Sequence, residues 1–405
     1  MDYVELPLSR IEAGKPLPVN VWDRKGQLLI PKGQPLVSEA HKDFLAAHHA
    51  CVTEADFKAW TRSYDRLVYR MLLQGLSVEL IAKTHLPSEI LEVDYVVGHA
   101  VVGGWLDLHE VLRSLLYQGP DARNPLDRIE GIQARATELV VANADACLFT
   151  LFQALPDRSL AYCAKHALLS AVVCELTGRK LQLAQAMRPV LVRAALLMNI
   201  AMAREQDQLA RQTSKLSDDQ RRGIRDHPTR SVEILRGFGL VDEVLLDLVR
   251  WHHTPGDGAG AQANLECLQV LQMADQFIAK MAARATRAGL SALRASKSIV
   301  ADATGDAARL GSAMSTAVGF YPPGSYVLLA NGETAVAVRR GPTANTPLVV
   351  SVLSPTGVAL AQYVGRDTRE PPFAVRVPVG AERLKLTLEM EKVERALGKL
   401  HPEHG

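Results

Sequence analysis

The sequence predicts a mainly α-helical chain with small β-rich segments towards its two ends. Between residue 54 and about 315 the apolar residues recur at helical spacing. In the first 50 residues, and again after residue 318, the period drops to strand-like alternation punctuated by turn residues. The helical run is interrupted only at short polar stretches such as LPDR, TGRK, QTSKLSDDQ and ATRAGLS.

The first element is KPLPVNVWDRKGQLLIPKGQPL, which alternates around the turn signals DRKG and PKGQ. It reads as a strand, a turn at Gly26, a second strand and a turn at Gly33. Residues 1–53 are thus expected as a small β-rich N-terminal module, too short for a large core. Residues 54–138 read as a helical connector and a candidate homodimer contact. WTRSYDRLVYRMLLQG lines up Trp60, Tyr64, Val68, Met71 and Leu72 on one stripe. LDLHEVLRSLLYQG repeats the pattern and is stopped by Gly119 and Pro120. NPLDRIEGIQARATELVVAN is a third amphipathic helix. Residues 139–318 are almost wholly helical by pattern. In residues 319–380, GFYPPGSYVLLANGETAVAVRRG predicts a C-terminal β-hairpin extension about Asn331 and Gly332. TPLVVSVLSPTGVAL continues the strand character. Residues 381–405 read as a charged helical tail.

With 405 residues, 48% of them apolar, the composition is that of a globular chain. The balance of 46 basic against 44 acidic residues makes no strong field, which argues against a dedicated nucleic-acid binder. The N-terminus MDYVELPLSRIEAG lacks the apolar core of a signal peptide. No run of ~18 uncharged apolar residues is long enough to span a membrane. The five cysteines form no C-x-x-C pair and read as reduced thiols of a cytoplasmic protein.

The chemistry-bearing residues are histidines. His166 lies in the helical AKHALLSAVVCEL. His227 lies in DHPTRSVEIL, with Pro228 behind it as at a helix start. His252 and His253 form a doublet in WHHTPGDG, and Asp275 follows in LQMADQFIAKM. Imidazoles and a carboxylate contributed by several helices can build a metal site in a bundle core. Taken singly, each is more often a core, cap or solvated residue than a ligand, so it is their order that points to a site.

That order, followed by R-x-x-R and by the YPPGS…NGE hairpin, resembles the HD-GYP family. This is a branch of the HD superfamily whose active members are metal-dependent cyclic di-GMP phosphodiesterases. The resemblance covers roughly residues 140–360 and includes NADACLFTLFQALPDRSLAYCAKHALLSAVVCELTGRKL, similar in layout to the family's first two helices. VELPLSRIEAGKPLPVNVWDRKGQLLIPKGQPL is similar to a small module often found ahead of such domains. The resemblance implies an HD-superfamily helical domain. His166 matches the first histidine ligand, His227 the next, His252 and His253 the doublet, and Asp275 the late aspartate. In that layout His227, His252 and His253 serve one metal, and His166 and Asp275 serve the other. Arg284 and Arg287 match a basic pair that could grip phosphate through guanidinium forks.

The sequence also departs from the family. LLMNIAM falls where the family carries H-D-x-x-K, so Met198, Asn199 and Met202 replace the histidine, aspartate and lysine. An amide cannot bridge and neutralise two cations as a carboxylate does. A thioether is a soft ligand, unsuited to hard cations. The segment is expected as a packed helix. Thr254 stands where a glutamate usually follows the doublet, the G-Y-P tripeptide is absent, and the loop GDGAGAQANLE is short. The expectation is a degenerate HD-GYP-like bacterial signalling protein, catalytically inactive, acting through a cyclic dinucleotide or a signalling-protein partner. No cofactor is expected beyond one divalent metal ion. A weak one-metal cyclic di-GMP phosphodiesterase and a ligand-free interaction scaffold are the alternatives.

Overall fold

The computed structural model describes residues 3–73, 76–90, 103–254, 264–301, 304–381, 384 and 388–400. The chain divides into two units, residues 1–98 and 99–405.

The first unit contains β1 (Tyr3–Glu5), β2 (Val21–Trp22), β3 (Leu28–Ile30), α1 (Glu39–Ala47), β4 (Cys51–Thr53), α2 (Glu54–Leu73) and α3 (Val78–Ala82). The strands form an antiparallel sheet in the order β1-β4-β2-β3. The β2–β3 turn forms because Asp23 Oδ1 accepts the N–H groups of Lys25 and Gln27 while Gly26 takes φ +80°. Ser38 caps α1 by accepting from the His41 N–H. Val21, Val52, Leu36, Leu45 and Trp60 share the core. The Trp60 indole donates to the Pro87 carbonyl at 2.7 Å.

The second unit begins with α4 (Trp105–Gln118) and α5 (Pro125–Ala154), and then α6 (Tyr162–Lys180), α7 (Met187–Leu197), α8 (Ala203–Arg211), α9 (Asp218–Gly237), α10 (Glu243–Trp251), α11 (Leu265–Met281), α12 (Ala292–Val300) and α13 (Gly305–Val318). The sequence segment 54–138 therefore supplies α2 and α3 to the first unit and α4 with the first half of α5 to the second. Helix α5 breaks at Asn143 (φ −160°), whose side chain accepts the Ala146 N–H and so caps the second half. Helix α6 is mostly apolar and is buried on all sides, every residue from Tyr162 to Gly178 being buried. That pattern makes it the central helix, with α4, α5, α7, α11 and α13 packed about it. Its N-terminus is capped from outside: Asp207 of α8 accepts the Cys163 N–H at 2.7 Å and the Tyr117 hydroxyl.

Strands β5 (Tyr326–Leu329), β6 (Thr334–Arg339), β7 (Leu348–Leu353), β8 (Ala359–Asp367) and β9 (Val375–Val379) form an antiparallel sheet in the order β8-β7-β6-β5-β9. The expected hairpin is β5–β6, and Gly332 in its turn takes φ +89°. The tail helix α14 (Met390–Leu400) lies on β8 and β7 and buries Val393 and Ala396. Gly324 docks the sheet on α5: a Cβ there would sit 2.8 Å from the Phe149 carbonyl oxygen, and φ is +92°. No helix among the described residues is long and apolar enough to cross a membrane. All five cysteines are buried and unpaired.

One ion pair and a hydroxyl tie the β5–β6 turn to β7 and β8. Glu333 accepts two hydrogen bonds from Arg366 (3.0 and 2.9 Å) and one from Ser351 (2.7 Å). Burial pushes its carboxyl up, but these donors outweigh burial and hold the pKa below the usual carboxylate range. Glu333→Ala is expected to cost about 1.5–3 kcal/mol, the range for hydrogen bonds to charged groups. Because the folded pKa is depressed, this contribution is whole above the unfolded pKa of ~4.3 and is lost as pH falls below it. Urea unfolding of wild type and variant should show their gap narrowing from pH 6 to pH 3. A gap independent of pH contradicts the assignment.

Candidate metal centre

Two helices aim the histidines. Helix α9 starts at a capping box in which Ser217 and Gln220 exchange side-chain-to-backbone bonds. His227 and Pro228 therefore lie in mid-helix, and the expected helix start at Pro228 is corrected by this earlier cap. The proline has a local consequence. It has no N–H to give the Ile224 carbonyl four residues back, so that carbonyl is free. The His227 Nδ1 takes it, at 2.6 Å. At the end of α10, the His252 Nδ1 bonds in the same way to the Val249 carbonyl at 2.7 Å, where the last carbonyls of a helix lack intrahelical partners.

A carbonyl oxygen only accepts, so both Nδ1 atoms carry the proton and both Nε2 atoms present a lone pair. These two Nε2 atoms are 3.2 Å apart. Burial drives both rings towards the neutral form: the pKa of His227 falls to about 4 and that of His252 to about 3, both also lowered by His253. Near neutral pH neither Nε2 has a proton to offer the other. Two lone pairs facing one another in the interior are a donor set in want of an electrophile. Two ligands at ~2.1 Å from one ion and 3.2 Å apart subtend about 100° there, near the tetrahedral value. His253 completes the set: its ring lies 5.1 Å from that of His227 and 4.1 Å from that of His252. One ligand atom from each of the three lies within 4.8 Å of the others. His227 and His252 are buried and His253 is exposed. The His253 carbonyl is anchored to α11 by the Gln272 side chain.

His166 and Asp275 form a second group. The His166 Nε2 donates to Asp275 Oδ1 at 2.8 Å across α6 and α11. The Tyr162 hydroxyl lies 3.1 Å from the His166 Nδ1. Burial raises the Asp275 carboxyl, but the His166 hydrogen bond and the neighbouring imidazoles together outweigh it and leave the pKa far below the ordinary range. His252 and His253 add to that lowering, so the two groups lie within electrostatic reach. Burial pushes the Tyr162 hydroxyl up to about 12, so it stays protonated and donates to His166. Tyr162 was missed from the sequence. Its signal was its place one turn before His166 on the same helix face.

The LLMNIAM segment is buried, with Met198 at 0% exposure, Met202 at 7% and Asn199 at 8%. It is not the expected continuous helix. The chain leaves α7 after Leu197, makes a 3-10 turn over Ile200–Met202 and enters α8 at Ala203. Ser231 of α9 stabilises the break: its hydroxyl donates to the Met198 carbonyl (3.0 Å) and accepts the Ala201 N–H (3.2 Å). Backbone groups that a helix would pair internally are thus satisfied from the side.

Beyond α11, Arg287 donates to the carbonyls of Ala279 (2.5 Å) and Lys280 (3.0 Å) and so caps that helix. Arg284 influences the Tyr162 hydroxyl, and its own Nε is buried with no hydrogen-bond partner among the described residues. Thr254 is exposed, and the GDGAGAQ loop after it lies outside the described residues.

Residues 163–280 match the family model of the HD domain. The match takes in both histidine groups and the LLMNIAM segment, and it gives the chain an HD-superfamily domain at its centre. No curated protein matches the chain. Among solved structures, an HDG"Y"P protein from Bdellovibrio bacteriovorus is similar at 14% identity, over 74% of this chain and 94% of that one, with a TM-score of 0.40.

Proposed function

We propose that this chain is a signalling protein whose HD domain holds one divalent metal ion on His227, His252 and His253, and that it works by binding rather than by phosphodiester hydrolysis. The observation that carries the metal is the approach of two proton-free Nε2 atoms to 3.2 Å, each fixed by a backbone carbonyl. Three neutral imidazoles with an open position suit a zinc-like ion. The absence of turnover rests on the other half of the site. His166 and Asp275 are hydrogen-bonded to each other. The buried Asn199, at the place of the bridging aspartate, supplies no charge to hold a second cation. A cyclic dinucleotide or a signalling protein is the partner the HD-GYP resemblance implies.

The exposure of His253 favours a second reading, a one-metal phosphodiesterase, because it leaves the centre open to solvent on one side. An assay with cyclic di-GMP separates the two. No product above background is expected with manganese, iron or magnesium. A linear or mononucleotide product from the wild-type chain, lost in His253→Ala, contradicts the binding role and establishes the enzyme.

A further inference from the structure

The C-terminal sheet carries a second polar feature, formed by none of the residues of the metal centre. A cavity of about 130 Å3 opens between edge strand β8 and helix α14, lined by Gln362, Tyr363, Lys392, Arg395, Ala396 and Lys399. The helix residues stand at positions i, i+3, i+4 and i+7, which is one stripe of α14. Ala396 is buried and gives the helix its close seat on the strand. The three cations flank it. Glu391 and Glu394 fall outside the stripe, and among the described residues no carboxylate lines the cavity. Lys392 is engaged, 2.7 Å from Glu389 and with its ammonium 5.6 Å from the Tyr363 ring centre. Among the described residues, Arg395 and Lys399 have no ion-pair partner, although Glu391 stands at helical spacing from Arg395.

We propose that this cleft binds the phosphate group of a small phosphomonoester. Two cations with no ion-pair partner among the described residues, on one helix stripe, raise the local concentration of anions, and low-dielectric walls strengthen the effect. The Arg395 guanidinium offers a two-pronged fork that matches phosphate oxygens, and Lys399 offers a point charge beside it. The Gln362 amide supplies a neutral donor. The cavity is large enough to hold several waters, and so has room for one phosphate group and its ester atoms. The phosphate is the handle by which the cleft holds the ligand.

Calorimetric titration of the full chain with AMP tests this, in buffer containing a chelator. Inorganic phosphate and adenosine serve as further arms. AMP should bind saturably, phosphate should compete with it, and adenosine should not bind. Arg395→Ala and Lys399→Ala should each weaken AMP by about tenfold or more, the worth of a charge-assisted hydrogen bond. Both side chains are exposed, so the melting temperature should not move. His252→Ala should leave AMP binding unchanged. The proposal is overturned by the absence of saturable AMP binding, by equal binding of adenosine, or by unaltered affinity in the double variant. Binding to acidic-lipid vesicles without binding to AMP would overturn it in favour of a membrane-facing role.

Discussion

His252→Ala is expected to abolish metal retention. The side chain is fully buried, its Nδ1 is held by the Val249 carbonyl, and its Nε2 faces that of His227. Its loss leaves one buried donor and one exposed donor, too few for a structural or catalytic site of this kind. Affinity should fall by more than about a hundredfold, beyond the ten- to hundredfold loss typical when only an orienting partner of a ligand is removed. Pro228→Ala provides the finer test. It returns an N–H to the Ile224 carbonyl and so competes for the bond that orients His227. That variant should lose about ten- to hundredfold in affinity while keeping, or gaining, helix stability. Competition against a chromogenic chelator measures both. Unchanged affinity in His252→Ala contradicts the ligand set, and unchanged affinity in Pro228→Ala removes the role given to the freed carbonyl.

Met198→Ala should destabilise the second unit by ~2–5 kcal/mol, the range for large-to-small changes in a core. Met198 has no exposed surface, and its carbonyl is bonded by the buried Ser231 hydroxyl. The surrounding backbone is pinned on both sides of the 3-10 turn, so it has little freedom to collapse into the space left. Urea unfolding followed by circular dichroism reads the change. A cost below ~0.5 kcal/mol means that the side chain fills no packed space, and that the position kept an open cleft.

The helical period was legible because most helices bury a single face, and the β5–β6 hairpin was legible from Asn331 and Gly332. What escaped the sequence depended on distant partners. The break in LLMNIAM is stabilised by Ser231, some thirty residues downstream, and nothing in the seven residues themselves announces it. Strand β9 was not singled out. It carries Pro378, and it pairs directly with β5, from which β6, β7 and β8 separate it in the sequence. The start of α9 was misplaced because a proline usually marks the first turn of a helix. The S-x-x-Q signal of its capping box stands ten residues before His227, inside the polar break QTSKLSDDQ. For the site, chain order picked out the histidines, and the structure brings His227, His252 and His253 together and joins His166 to Asp275. The tautomers, the Tyr162 contact and the capping role of Arg287 belong to geometry, and spacing alone does not contain them.

Elemental analysis of the full chain purified without chelator bears most directly on the one-metal centre. One equivalent of a divalent transition metal per chain, absent from His252→Ala, is the predicted result. Two equivalents in the wild type would restore the second site that Asn199 and the His166–Asp275 pair are argued to have lost. A chain with no metal, and none taken up on incubation with zinc or manganese, would remove the centre altogether.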